Sequence, residues 1–173
     1  QFAKAEPYLR RAVKTLTEKN PNPYDGEPLY NLGLSLKYQG KTDEAYDCFY
    51  KACWNAAWQD AGYYSLAQLS ASKGNWEEAL YEIDKSLLRN WHNLRGRHLK
   101  AVVLRHLGRV DEALALIRES LAIDRFNFGC SFEEYLLTGE KAVLDDLLVR
   151  MRSEGHNYDC LLYTSPSPRD KRQ

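Results

Sequence analysis

Metal or redox chemistry would have to come from Cys48, Cys53, Cys130 and Cys160, together with four histidines. No two cysteines form a Cys-x-x-Cys pair, and none is spaced from a histidine as a ligand pair requires. Cys48 and Cys53 are five residues apart, which on a helix directs them to different sides and prevents a disulfide between them. They read as buried thiols of a reducing compartment. His98 and His106 are eight apart, too far along a helix to share an ion, and His92 and His156 have no ligand-spaced partner. No metal and no cofactor is expected. The acid pairs Glu77-Glu78, Glu133-Glu134 and Asp145-Asp146 are adjacent, so they splay apart on a helix instead of flanking a substrate. With neither a Gly-rich phosphate loop nor a nucleophile elbow in the sequence, no catalytic residue is assigned, and this stretch is expected not to be an enzyme.

Binding chemistry is better represented. No acidic residue occurs between Asp84 and Asp111, while Arg95, His98, Val102 and Arg105 follow three-, four- and three-residue steps that share one helix face. Such a cationic strip would accept an acidic peptide or a carboxylated ligand. The favoured reading is nevertheless a solvated face neutralised by neighbouring acids, the ordinary fate of charged helix faces. Trp54, Trp58, Trp76 and Trp91 fall near expected helix junctions, where an indole closes gaps in a core or stacks on a sugar; packing is the expected role.

The whole chain has 173 residues with 24 basic and 24 acidic side chains. That balance removes the bulk attraction that nucleic acid or an anionic membrane requires, and neither is expected as a partner. No apolar run reaches bilayer length, and the start lacks the basic and apolar regions of a secretory signal, so a cytoplasmic location is expected. The chain starts at Gln1 inside an apparent helix and its single methionine is Met151, which reads as truncation at the N-terminus.

The elements that position these residues repeat. Gly40, Gly74 and Gly108 recur every 34 residues, and with them Ala45, Ala79 and Ala113, then Phe49, Ile83 and Ile117, then Ala52, Ser86 and Ser120. Gly33, Ala67 and Ala101 place a small residue in the middle of each preceding segment. Each unit therefore predicts a helix, a glycine-marked turn suited to a left-handed helix end, and a second helix with apolar residues at three- and four-residue steps. The small residues let helix backbones approach, and Phe or Ile fills the space between them. Asn75 followed by Glu78 resembles a capping box, but Lys41 and Arg109 in the same column cannot cap that way. The expected architecture is all-α, an α-solenoid of antiparallel helix pairs, whose right-handed sense is what the family resemblance carried by these same columns implies.

This pattern resembles the tetratricopeptide repeat. Leu32-Gly33, Leu36, Gly40, Ala45, Phe49 and Ala52 match the motif in the first unit. Tyr63, Leu66-Ala67, Gly74, Ala79 and Ile83 match it in the second, and Ala101, Leu104, Gly108, Ala113 and Ile117 in the third. Arg97 and Lys100 depart from it, standing where the family has large apolar residues, so packing there is expected to fall to Leu99 and Val103, with the Lys stem snorkelling outward. The resemblance implies binding along a concave surface lined by the first helices, here Tyr30, Leu34, Lys37, Tyr64, Gln68, Arg95, His98, Val102 and Arg105. Chaperone-binding members hold a C-terminal carboxylate with a Lys and Asn clamp on these helices. Tyr30 and Leu34 occupy the clamp's first two positions, so a co-chaperone role is not implied, and a protein or peptide partner of another kind is expected in the groove.

The layout is then the second helix of a truncated repeat at 1–19, a linker at 20–28, three helix pairs at 29–127 and a degenerate pair at 128–159. In the first helix Ala5, Leu9, Ala12 and Leu16 form the expected stripe. Residues 160–173 read as a non-native disordered tail, because Cys160 to Asp170 resembles the translation of a transposase-type sequencing adapter. Two further runs are similar to the repeat region of bacterial proteins carrying domain of unknown function 5107. They are Phe49-Tyr50-Lys51-Ala52 through Tyr63-Tyr64 to Leu66-Ala67, and Asn93-Leu94 through Leu99-Lys100-Ala101 to Leu107-Gly108-Arg109. That likeness implies a β-rich, carbohydrate-handling domain missing from the N-terminal side and in contact with this one. Two readings stand: an interaction scaffold, or the helical accessory region of a carbohydrate-processing protein.

Overall fold

Gly40, Gly74 and Gly108 adopt φ of +78°, +79° and +73°, a left-handed conformation that most residues resist. Beyond each glycine the next backbone N–H reaches back to the last helical turn: Lys41 to the Leu36 carbonyl, Asn75 to Ser70 and Arg109 to Leu104, at 3.0, 2.9 and 2.9 Å. This is the Schellman closure, which satisfies orphan carbonyls and reverses the chain into an antiparallel partner helix.

The computed structural model describes residues 1–164 except 22 and 24, with the backbone alone for 154–164. Among these residues the helices are α1 (Phe2–Thr17), α2 (Glu27–Lys37), α3 (Thr42–Ala52), α4 (Gln59–Ser72), α5 (Trp76–Arg89), α6 (Leu94–His106), α7 (Val110–Ile123), α8 (Phe128–Thr138) and α9 (Lys141–Thr164). A single 3-10 turn, Ala56–Trp58, joins α3 to α4. The pairs α2–α3, α4–α5 and α6–α7 each enclose one of the three glycine turns. Gly139, at φ +70°, ends α8 three residues short of the 34-residue column, which is occupied by Ala142. That shortened unit throws α9 out of register with the motif.

The core is the set of repeated columns. Ala45, Phe49, Ala79, Ile83, Ala113 and Ile117 are all fully buried. Each Phe or Ile so buried contributes about 1.5–3 kcal/mol. One cluster centres on Phe49 with Leu32, Leu36 and Leu66, and the other runs from Ala67 through Ile83 and Ile117 to Cys130. A Cβ added at Gly33 would stand 2.7 Å from the Phe49 ring, so the absence of a side chain there is what lets α2 and α3 meet.

Four expectations change. Asn75 makes no side-chain cap bond, so the predicted capping box does not form; Asn93 instead accepts from the Gly96 N–H at 3.0 Å to cap α6, and Asn127 from the Cys130 N–H at 3.2 Å to cap α8. In α1, Ala5 and Ala12 are exposed, and the face packed on α2 carries Glu6, Leu9, Val13 and Leu16. Trp54 and Trp91 are exposed, whereas Trp58 and Trp76 are half-buried. Finally, α9 runs to Thr164, past the expected start of the tail, because the first helix-stopping proline is Pro166. The rest of that tail lies outside the described residues.

Candidate functional site

The first helices of the pairs touch one another, α4 against α6 and α6 against α8, while α3, α5 and α7 pack chiefly on first helices. The first helices therefore form the inner layer of the curve, and their outward-facing side chains line its groove. Tyr30 on α2 is half-buried, with its ring 4.9 Å from Trp58 and 5.4 Å from Phe49. Leu34 packs beside it against the first core cluster. One turn on, the Lys37 ammonium donates to Gln68 Oε1 at 2.5 Å, and Gln68 Nε2 donates to the Tyr64 hydroxyl at 3.0 Å. This chain of bonds ties α2 to α4. Burial lowers the Lys37 pKa and raises that of Tyr64, the latter countered by the nearby Arg95 charge.

On α6 the four strip residues separate in role. Arg105 donates through Nε to Glu133 Oε2 at 2.6 Å, a buried carboxylate supplied by α8. His98 is half-buried and lies so close to Gly129 that a Cβ there would stand 2.5 Å from its Nδ1. Burial holds its pKa below the ordinary value, with Glu133 acting weakly the other way. Val102 is half-buried beside them. Arg95 alone is exposed and has no ion pair among the described residues. With His98 it lines a cleft of about 220 Å³ whose other walls are Leu94, Asp124, Phe126, Asn127 and Phe128.

Of the nine sequence-expected positions, then, Lys37, Tyr64 and Gln68 form one network and Arg95 and His98 one cleft, while Arg105 is neutralised. Glu133, Phe126 and Phe128 were missed, since they belong to the unit where the motif fades. The 34-residue spacing of Asn93 and Asn127 could have located the turn carrying them.

Arg97 is also unexpected. Instead of leaving the packing to Leu99 and Val103 alone, it is wholly buried, with Nε donating to the Ser120 hydroxyl at 2.7 Å and Trp91 stacked over its guanidinium at 4.4 Å. Lys100 does reach outward, pairing with Asp84 at 2.7 Å.

Catalytic nucleophiles are poorly served. Burial pushes the thiols of Cys48, Cys53 and Cys130 up to about 11, about 12 and about 11, so they stay protonated near neutral pH. No three His, Cys, Asp or Glu side chains come together as a metal-binding group among the described residues. No described helix is long and apolar enough to cross a membrane.

Helix pairs stacked in this way, with a groove on the inner layer, define an α-solenoid of the repeat class. Two stretches match tetratricopeptide-repeat family models, residues 26–53 and 96–123, so the chain carries tetratricopeptide repeats at those two places. Among solved structures it is similar to MamA 41-end from Desulfovibrio magneticus RS-1, at 17% identity over 88% of this chain and 86% of that one, with a TM-score of 0.72. It is also similar to the first TPR of Spaghetti (RPAP3) bound to HSP90 peptide SRMEEVD, at 19% identity over 68% and 94%, TM-score 0.62. A third is YrrB, a TPR protein with an unusual peptide-binding site, at 19% over 80% and 70%, TM-score 0.63. At these identities the likeness shows the shared fold.

Proposed function

We propose that the chain is a non-catalytic protein-interaction module whose groove holds an extended acidic peptide, with Arg95 as the charged anchor and Tyr30 and Tyr64 as aromatic walls. The observation that carries this reading is the contrast within the groove. Arg105 is paired with Glu133 and the half-buried Lys37 is bonded to the Gln68 amide, whereas the exposed Arg95 has no ion pair among the described residues and stands at a cleft that Asp124, Phe126 and Phe128 also line. A carboxylate meeting Arg95 gains a charge-assisted bond without breaking an internal pair. Peptide binding by the repeat domain of RPAP3 and by YrrB supports the class of partner. The chemistry differs from a Lys and Asn carboxylate clamp, because Leu34 has no side-chain donor and Tyr30 offers a neutral hydroxyl in place of an ammonium or amide.

Domain limits of 29–127 for the repeats and 128–159 for the degenerate pair accompany this reading, with the cytoplasm as its proposed setting. The closer likeness to proteins carrying domain of unknown function 5107 rests on the two quoted residue runs. It would make a neighbouring β-rich domain the natural source of intramolecular contacts.

The test is a peptide-display selection on the whole chain, followed by fluorescence anisotropy of the winning peptides. Acidic side chains should be enriched, and Arg95→Glu should weaken binding at least tenfold, while Arg11→Glu on α1 leaves it unchanged. Peptides without acids that bind Arg95→Glu as well as the parent chain would refute the assignment.

A further inference from the structure

Lys37 and Arg105 occupy the same place in the motif, two repeat periods apart. Arg105 has its acid built in, for 28 residues further on α8 supplies the buried Glu133 carboxylate at 2.6 Å. The same 28 residues beyond Lys37 stands Ser65 of α4. It is 2% exposed, and its short side chain turns back to donate to the Ala61 carbonyl at 2.8 Å. The first unit therefore keeps the cation of this arrangement and lacks the acid.

What Lys37 has instead is a neutral partner, the Gln68 amide oxygen at 2.5 Å. Lys100, also half-buried, pairs with Asp84 at 2.7 Å, and the more exposed Lys41 and Lys73 pair with Glu6 and Asp43. Burial lowers the Lys37 pKa and no charged neighbour works against it. A partly desolvated ammonium facing a neutral amide loses hydration without a Coulombic return. Gln68 accepts only one of its three N–H bonds, and Gln68 Nε2 in turn donates to the Tyr64 hydroxyl at 3.0 Å. Two ammonium N–H bonds and the Tyr64 hydroxyl proton are left without an acceptor among the described residues, on the groove side of α2 and α4.

We propose that Lys37 and the Tyr64 hydroxyl form a second carboxylate site in the groove, so that the bound peptide carries two acids, one on Arg95 and one on Lys37. This rests on the peptide-groove reading above and names the charge pattern that the groove selects. The peptide's carboxylate serves Lys37 as Glu133 serves Arg105, and the Gln68 bond stays intact because it uses a single ammonium proton. Tyr64 lies between the two sites, linked to Lys37 through Gln68 and within reach of the Arg95 charge. An extended chain turns alternate side chains to the same side, at intervals of about 7 Å, so the two acids fall an even number of residues apart.

Fluorescence anisotropy tests this on the full chain, with peptides selected by display on that chain and capped at both ends so that no terminal carboxylate contributes. Each acid is replaced in turn by its amide, and the series is measured against the parent chain, Lys37→Met and Arg95→Glu. Selected peptides should carry acids at even separations. Lys37→Met should weaken binding about tenfold, and one acid, different from the one coupled to Arg95, should cease to matter in that variant. Ser65→Glu, its folding checked by circular dichroism, should weaken binding to a similar extent, because the chain then carries its own acid for Lys37. Peptides that bind Lys37→Met as tightly as the parent, while Arg95→Glu weakens them, overturn the second site and leave the Arg95 anchor standing. A loss in Lys37→Met that is equal for every amide-substituted peptide also overturns it, since Lys37 then only braces α2 against α4. Unchanged binding to both variants refutes the groove reading as well.

Discussion

Gly33 and Phe49 occupy one space, and the other two units fill the same space differently, with Ala67 facing Ile83 and Ala101 facing Ile117. The glycine is thus matched to the larger ring. Gly33→Ala should cost about 1–3 kcal/mol by overpacking, and Phe49→Ile about 1–2 kcal/mol by leaving a gap. The double variant recreates the pairing of its neighbours and should cost less than the sum, with a coupling of about 0.5–3 kcal/mol in urea denaturation. Strict additivity would show that the two do not share the space. This compensation was legible in the sequence as two columns, because size is written in residue type. Arg97 was not. A charged residue in an apolar column signals a departure, but its burial depends on Ser120, which looked merely small in the column with Ala52 and Ser86 and proves to be the acceptor. Both terminal nitrogens of Arg97 lack hydrogen-bond partners, although Nη2 lies 3.2 Å from Glu119 Oε2. A buried ion so incompletely served is weak stabilisation. Arg97→Met should therefore leave stability unchanged or raise it by about 1–4 kcal/mol, while Ser120→Ala lowers it by about 1–3 kcal/mol. Loss of more than about 2 kcal/mol in Arg97→Met would contradict this ranking.

At the scale of elements, helices and turns were readable because the glycine period and the three- and four-residue apolar steps are local properties of the chain. The orientation of α1 was not, since Ala5 and Ala12 are too small to fix a face and polar contacts decide it. Glu6 accepts from Lys41 at 2.8 Å, Arg10 at 2.8 Å and Gln39 at 2.9 Å, and Arg10 reaches on to Glu44 at 2.5 Å. Lys41 first, then Arg10 and Gln39, hold the Glu6 carboxyl down to about 2 from its ordinary 4.5. A depressed carboxylate stabilises the fold fully above its unfolded pKa, and that contribution is lost as pH falls through the folded value. The docking of α1 should hence weaken between about pH 4.5 and pH 2. Thermal melting across that range should show a shallower pH dependence in Glu6→Gln than in the parent chain. Parallel curves would mean that this cluster does not hold the helix.

For the molecule as a whole, each pair is stabilised by stacking on the next, and the proposed function draws on what the inner layer leaves unpaired. The sequence placed Tyr30, Tyr64 and Arg95 on first helices, and the structure has them on α2, α4 and α6. It could not show that Glu133 from α8 neutralises Arg105, because that contact joins residues 28 apart across a unit whose motif has decayed. Under the proposed function the cationic strip reduces to one anchoring residue, Arg95, and specificity would rest with the aromatic cleft beside it. Chemical-shift mapping of the full chain with a display-selected peptide tests this most directly. The account predicts shifts concentrated on the exposed faces of α2, α4 and α6 and on the Phe126–Phe128 turn, and their loss in Arg95→Glu. Shifts confined to α3, α5 and α7 would place the interaction surface on the opposite layer and contradict it.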